Sequence, residues 1–114
     1  MPNAHSDLVH KLLKALSLPG CRVWKNATGK ARAMHDDTQI ISYGLDGSAD
    51  ITGILKCKSG IGARLEVECK TGTGRLQENQ KNFRDMIIRM GGLHIEARDV
   101  ETVVVTVLEF QENH

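Results

Sequence analysis

The sequence predicts an α/β fold of the α+β kind, a single mixed β-sheet with helices packed on it, in the order α-β-β-β-β-α-β-α. Arg64-Leu65-Glu66-Val67-Glu68-Cys69-Lys70 alternates polar and apolar residues without a break, the period of two that marks a strand with one buried face. After it, Leu76, Phe83, Ile87 and Met90 recur at helical spacing until Gly91-Gly92 stop the helix. Leu93-His94-Ile95-Glu96-Ala97 then reads as a strand, and a helical crossover would make it parallel to the Glu68 strand.

The remaining elements follow in order. Ser6 or Asp7 is placed to cap a first helix with the apolar stripe Leu8, Val9, Leu12, Leu13 and Leu16, which Pro19-Gly20 ends. Cys21 to Lys25 is a short strand, in which Trp24 is either core or the flank of a groove. Residues 26–38 are rich in Gly, Ala, Lys, Asp and Asn and read as a long polar loop, a length that is often functional in a small domain. Gln39 to Tyr43 is a second strand, closed by Gly44 and the turn pair Asp46-Gly47. The strand opened by Asp50, the Lys58-Ser59-Gly60 turn and the Glu68 strand then suggest an antiparallel meander of three consecutive strands. In the last segment the valines have strand propensity, but Val100, Val103, Val104, Val107 and Leu108 follow helical spacing behind Asp99, a good cap, and predict a helix.

Composition narrows the function. A chain of 114 residues holds one modest core, so residues 1–114 are expected to form a single domain. Lys+Arg 15 against Asp+Glu 14 gives a net charge of +1, which excludes binding to nucleic acid through overall charge and requires local clusters. Three cysteines without C-x-x-C spacing read as reduced residues, and no Cys/His group has zinc-ligand spacing. No apolar run reaches membrane length and no signal peptide is present, so cytoplasmic residence is expected.

The chemistry concentrates between Gly47 and Gln80. Glu68 and Lys70 project from one strand face, roughly 6.5–7 Å apart along the strand. Alone, Glu66, Glu68 and Lys70 would be the solvated face of an antiparallel sheet. Asp50, after the Gly47-Ser48-Ala49 turn, either caps that turn or presents a second carboxylate beside Glu68. Gln80 falls inside the buried stripe of the following helix, and a buried amide without partners costs about 1–3 kcal/mol, so Glu68, Lys70 or their ligands are expected to satisfy it. Gln77, Lys81 and Arg84 lie on other faces and read as surface residues, as does Glu66.

Asp50, then Glu68-Cys69-Lys70, a Gly-rich turn and Gln80 together resemble the motif series of the virus-type replication-repair nuclease (VRR-NUC) family, within the PD-(D/E)XK nuclease superfamily. The resemblance runs from the Trp24-Lys25-Asn26-Ala27-Thr28-Gly29 segment to about Glu101. It implies a restriction-endonuclease-like core and a divalent-metal-dependent endonuclease that cuts DNA and leaves a 5′-phosphate. In that reading Asp50, Glu68 and the backbone carbonyl of Cys69 bind Mg²⁺ or Mn²⁺. Lys70 orients the attacking water or neutralises charge on the phosphate, and Gln80 positions Lys70 or the phosphate. Relatives often supply a further carboxylate from the first helix; the acid here is Asp7, beside the buried stripe, with His5 nearer that face. Gly72, Thr73, Gly74 and Arg75, leading into a helix N-terminus, form a seat for flanking phosphate, and Lys25, Asn26, Thr28 and Gly29 offer further DNA contacts. Small stand-alone members are similar to Holliday-junction resolvases and pair as homodimers, so branched or four-way phage DNA is the implied substrate.

Two rivals stand beside this reading. A nucleotide-binding module fails on pattern, because no G-x-x-x-x-G-K-[ST] is present and Gly72-x-Gly74 lacks the third glycine of a dinucleotide site. A DNA-binding subunit of the same fold with little catalysis remains the alternative; the intact Asp50, Glu68 and Lys70 count against it.

Overall fold

The computed structural model describes residues 3–26, 29–33, 36–43 and 45–114, with 29–33 and 36–43 described by backbone alone. Its elements are α1 (Ala4–Ala15), β1 (Cys21–Lys25), β2 (Gly29–Ala33), β3 (Asp36–Tyr43), β4 (Ile51–Lys56), β5 (Gly62–Cys69), α2 (Glu78–Arg89), β6 (Leu93–Ala97) and α3 (Val100–Asn113). Strands β1, β4, β5 and β6 lie side by side in that order, antiparallel from β1 to β5 and parallel between β5 and β6. The expected mixed sheet with flanking helices is therefore present, with β6 returned through α2 as a crossover requires.

The middle of the chain differs from expectation. Part of the 26–38 segment is strand β2, and Gln39 to Tyr43 belongs to β3, which pairs with β2 in a separate two-stranded sheet. The antiparallel meander is thus β1-β4-β5, and the element order gains a strand. Gly29-Lys30-Ala31-Arg32-Ala33 contains no β-branched or aromatic residue, so cross-strand pairing and not propensity makes it a strand. Thr28 lies outside the described residues.

Helix ends follow local hydrogen-bond demand. Asn3, upstream of the expected Ser6 or Asp7, caps α1: its side chain accepts from the Ser6 N–H at 2.7 Å. Leu76 is buried in the extended lead-in to α2, not in the helix itself. At the other end Gly92 N–H donates to Ile87 O at 2.9 Å and Gly91 N–H to Ile88 O at 3.1 Å, a Schellman closure with Gly91 at φ +91°. That turn leaves Met90 77% exposed and outside the buried stripe assigned to it. Asp99 caps α3 through the Thr102 N–H at 2.7 Å, so the last valine-rich segment is helical.

The two sheet faces divide the work. Leu65, Val67 and Cys69 of β5, with Ile51 and Leu55 of β4 and Ile95 and Ala97 of β6, bury against Leu8, Val9, Leu12 and Leu16 of the α1 region and Val103 and Val107 of α3. A smaller cluster of Ala49, Phe83 and Ile87, joined by Met86, sits under α2. Because α2 lies on the polar face of β5, that strand is buried on both faces from Leu65 to Cys69. Glu66, expected at the surface, is 1% exposed.

The turn before β4 is docked on α2. Gly47 has φ +75°, and a Cβ there would run into the backbone of Asn79. Asn79 in turn donates from its side chain to Asp46 at 3.1 Å. Gly47→Ala is therefore expected to cost more than the about 1–2 kcal/mol of left-handed strain alone. Urea unfolding would read this as a lower midpoint at unchanged m-value; an unchanged midpoint would mean that the turn does not hold α2.

Candidate active site

Strand register places the candidate residues in rows across the face under α2. Asn26 N–H donates to Asp50 O at 2.9 Å, and Glu68 is the Cα partner of Glu96, so Asn26, Asp50, Glu68 and Glu96 form one row at the end of the sheet. The next row is Trp24, Thr52, Glu66 and His94. Paired residues point to the same face, and a shift of two along a strand keeps that face.

Asp50 is held from several sides. Its Oδ2 accepts from the Cys69 N–H at 2.8 Å and lies 3.2 Å from His5 Nε2. The Asn26 amide donates to Ser48 Oγ at 3.0 Å and Ala49 O at 2.9 Å, fixing the backbone that leads into Asp50. Asn26 thus spends its side chain on the backbone that positions Asp50.

Gln80 joins the other groups. Its Oε1 accepts from Lys70 Nζ at 3.0 Å and from the Gln77 N–H at 2.8 Å, and its Nε2 approaches Glu68 Oε1 at 3.4 Å. Lys70 Nζ stands 4.0 Å from Glu68 Oε1. The partners demanded by a half-buried amide are thus the two strand residues expected. Burial, and then the neighbouring Asp50 carboxylate, push the Glu68 carboxyl up to about 8. Burial likewise pushes the Cys69 thiol up to about 12, so Cys69 serves through its backbone and its packing, not as a thiolate.

Among the described residues no group of three or more His, Cys, Asp or Glu side chains is gathered as a metal site. Two carboxylates pressed together, with backbone oxygen nearby, nevertheless suit a hard divalent cation that keeps several waters. Burial first, and then repulsion from Asp50, raise Glu68, and a bound cation would offset both. From α1 it is His5, and not Asp7, that reaches Asp50; Asp7 is exposed in the first turn, two residues around the helix. Lys25 is exposed and shares a small cavity with His5, Asn26 and Asp50. Gly29 opens β2 opposite Tyr43, away from this row in the strand pairing.

Beside the row lies a cavity of about 620 Å³ lined by Gly72, Thr73, Arg75, Leu76, Lys81, Arg84, Glu96 and Arg98. Arg98 donates to Gly72 O at 3.3 Å, to Gly74 O, and to Glu96 Oε1 at 2.9 Å, clamping the glycine loop by its carbonyls. Lys81 and Arg84, read from sequence as plain surface, face this cavity with Arg75. Arg98 went unrecognised because no local motif ties it to a loop 24 residues upstream. His5 had a weak signal, its place near the apolar face of α1.

Compared with known proteins, the chain matches no family model, no curated protein and no solved structure.

Glu68 holds its proton more tightly folded, at about 8, than at its ordinary value of 4.5. Between those values the folded state binds more protons than the unfolded state. The stability contributed by the protonated Glu68 carboxyl in the metal-free protein is then fully present below the lower value and is lost as pH rises through the upper one. Glu68→Gln is expected to flatten that slope, on the order of a few kcal/mol across the window, in thermal unfolding with EDTA. Parallel wild-type and variant curves would show that Glu68 is not the titrating group.

Proposed function

We propose that the protein is a divalent-metal-dependent endonuclease that hydrolyses phosphodiester bonds in DNA, with branched DNA as its first substrate class. The observation that carries this reading is the convergence of Asp50, Glu68, Lys70 and Gln80, three of them joined through the Gln80 amide, with Asp50 held on the Cys69 N–H. The resemblance of the same residues to the VRR-NUC motif series supports it.

Asp50, Glu68 and the Cys69 carbonyl would hold Mg²⁺ or Mn²⁺. Such a cation, when bound, supplies Lewis acidity that lowers the pKa of water and offsets charge on the phosphate. Gln80 Oε1 keeps the Lys70 ammonium from swinging into solvent, at 3.0 Å, so its charge is directed to the face carrying Glu68. There it stabilises negative charge growing on the phosphoryl oxygens. The Gln77 N–H fixes which way the Gln80 amide faces, which leaves its NH₂ turned to Glu68. Arg75, Lys81, Arg84 and Arg98 would take flanking phosphates in the neighbouring cavity. One site per chain cuts one strand, so resolving a symmetric junction calls for a two-fold homodimer.

A DNA-binding subunit without catalysis is the second reading, because the basic cavity would serve binding whether or not Asp50 and Glu68 take part. Labelled four-way junction, splayed-arm and linear duplex DNA, each with Mg²⁺, Mn²⁺ or EDTA, separate the two. Cutting is expected only with metal, and Asp50→Ala and Lys70→Ala are each expected to lower its rate about 100-fold or more. Gln80→Ala should lower it less, since Lys70 remains. DNA binding with no cutting of any substrate would establish the second reading.

A further inference from the structure

The half of the α2-side face formed by β1 and β4 carries an arrangement that the proposed cleavage site does not use. α2 packs toward β6 and leaves Trp24 46% exposed and Ile54 53% exposed on this face. Arg22, Ile54 and Arg64 stand directly opposite one another across β1, β4 and β5. Both arginines are exposed, so a guanidinium flanks Ile54 on either side, with the indole of Trp24 two residues along from Arg22. An exposed tryptophan and isoleucine would ordinarily be shed from a surface or paired with a partner. The two arginines that frame them favour an occupant that carries negative charge beside its flat apolar faces.

We propose that this platform binds an unpaired stretch of DNA, with a base stacked on Trp24 and the backbone phosphates met by Arg22 and Arg64. The charge is of the right sign, and an aromatic face among guanidinium groups accepts any base, because every base presents a π-surface. The platform is also continuous with the candidate site. Trp24 opposes Thr52, and Asp50 lies two residues before Thr52 on the same face. That diagonal relation puts the Trp24 and Asp50 positions about 7–8 Å apart, within the reach of one nucleotide. The inference rests on the nuclease reading for its substrate and deepens it: the enzyme selects DNA that is unpaired next to the bond to be cut, as at a fork or a junction. Arg64 is partly engaged, since its Nη2 donates to Glu66 Oε1 at 3.3 Å, so Arg22 is the freer of the two cations.

Trp24 is the chain's one tryptophan, so its emission reports on this platform alone. In EDTA, where no cutting occurs, titration with oligothymidylate is expected to quench that emission, and a blunt duplex of equal length should do so far less. By fluorescence anisotropy of a labelled oligothymidylate, Trp24→Ala should weaken binding by about 5- to 100-fold, while Trp24→Phe keeps most of it. Arg22→Ala, a fully surface change, should weaken binding and lower the salt dependence by somewhat under one unit of slope. Oligothymidylate affinity untouched by both Trp24→Ala and Arg22→Ala would overturn the proposal. So would emission that shifts with protein concentration and not with DNA, which would assign the face to contact between copies of this chain. Cutting that persists without these effects sinks the platform and spares the nuclease; quenching without any cutting does the reverse.

Discussion

Two carboxylates meeting in a buried corner set the terms for the rest of the molecule. Glu68 is 5% exposed and shares its corner with Asp50. A pair of like charges in a low dielectric is costly unless a proton, a cation or fixed donors intervene. The chain answers with the Cys69 N–H on Asp50, the Lys70 ammonium beside Glu68, and Gln80 linking Lys70 to Glu68. The Gln80 link depends on the first turn of α2 reaching Glu68 and Lys70, and α2 can lie there because Gly47 has no side chain to collide with Asn79.

The sheet keeps stability and chemistry on different faces. Below it, α1 and α3 close an apolar layer that contains Leu12, Val67 and Val107, and burial there suppresses the Cys21 and Cys69 thiols. Above it, polar side chains are buried in rows under a single helix. The cost of that arrangement is visible one row in from the site. His94 Nδ1 has no protein hydrogen-bond partner, and burial drives Glu66 up and His94 down, toward their neutral forms. A face built this way trades stability for a cluster of groups whose protonation can be shifted by whatever binds.

Elements whose residues alternate or recur strictly were legible. β5 could be read from its unbroken period of two, and β6 from the Leu93-to-Ala97 segment beyond Gly91-Gly92, the closure that also marks the end of α2. α3 followed from valine spacing and the Asp99 cap, against its strand propensity. Less local features were not legible. β2 has no strand-forming residues of its own, and Met90 keeps the helical spacing while a Schellman turn carries it into solvent. Glu66 obeys the same alternation as a solvated residue and is buried only because α2 happens to cover it.

Sequence alone determined the apolar faces and the parallel return of β6, because periodicity and turn chemistry act over a few residues and leave a local trace; it singled out Asp50, Glu68, Lys70 and Gln80 as a set only through their resemblance to a motif series. Tertiary structure decided which side chains meet. It brought His5 and not Asp7 to Asp50, turned Asn26 inward as a strut, gathered Arg98 onto the glycine loop and left Trp24 uncovered beside the row of Arg22, Ile54 and Arg64. Those outcomes depend on which strands pair and where one helix lands, and pairs of residues separated by 22 to 45 positions carry no mark of each other along the chain.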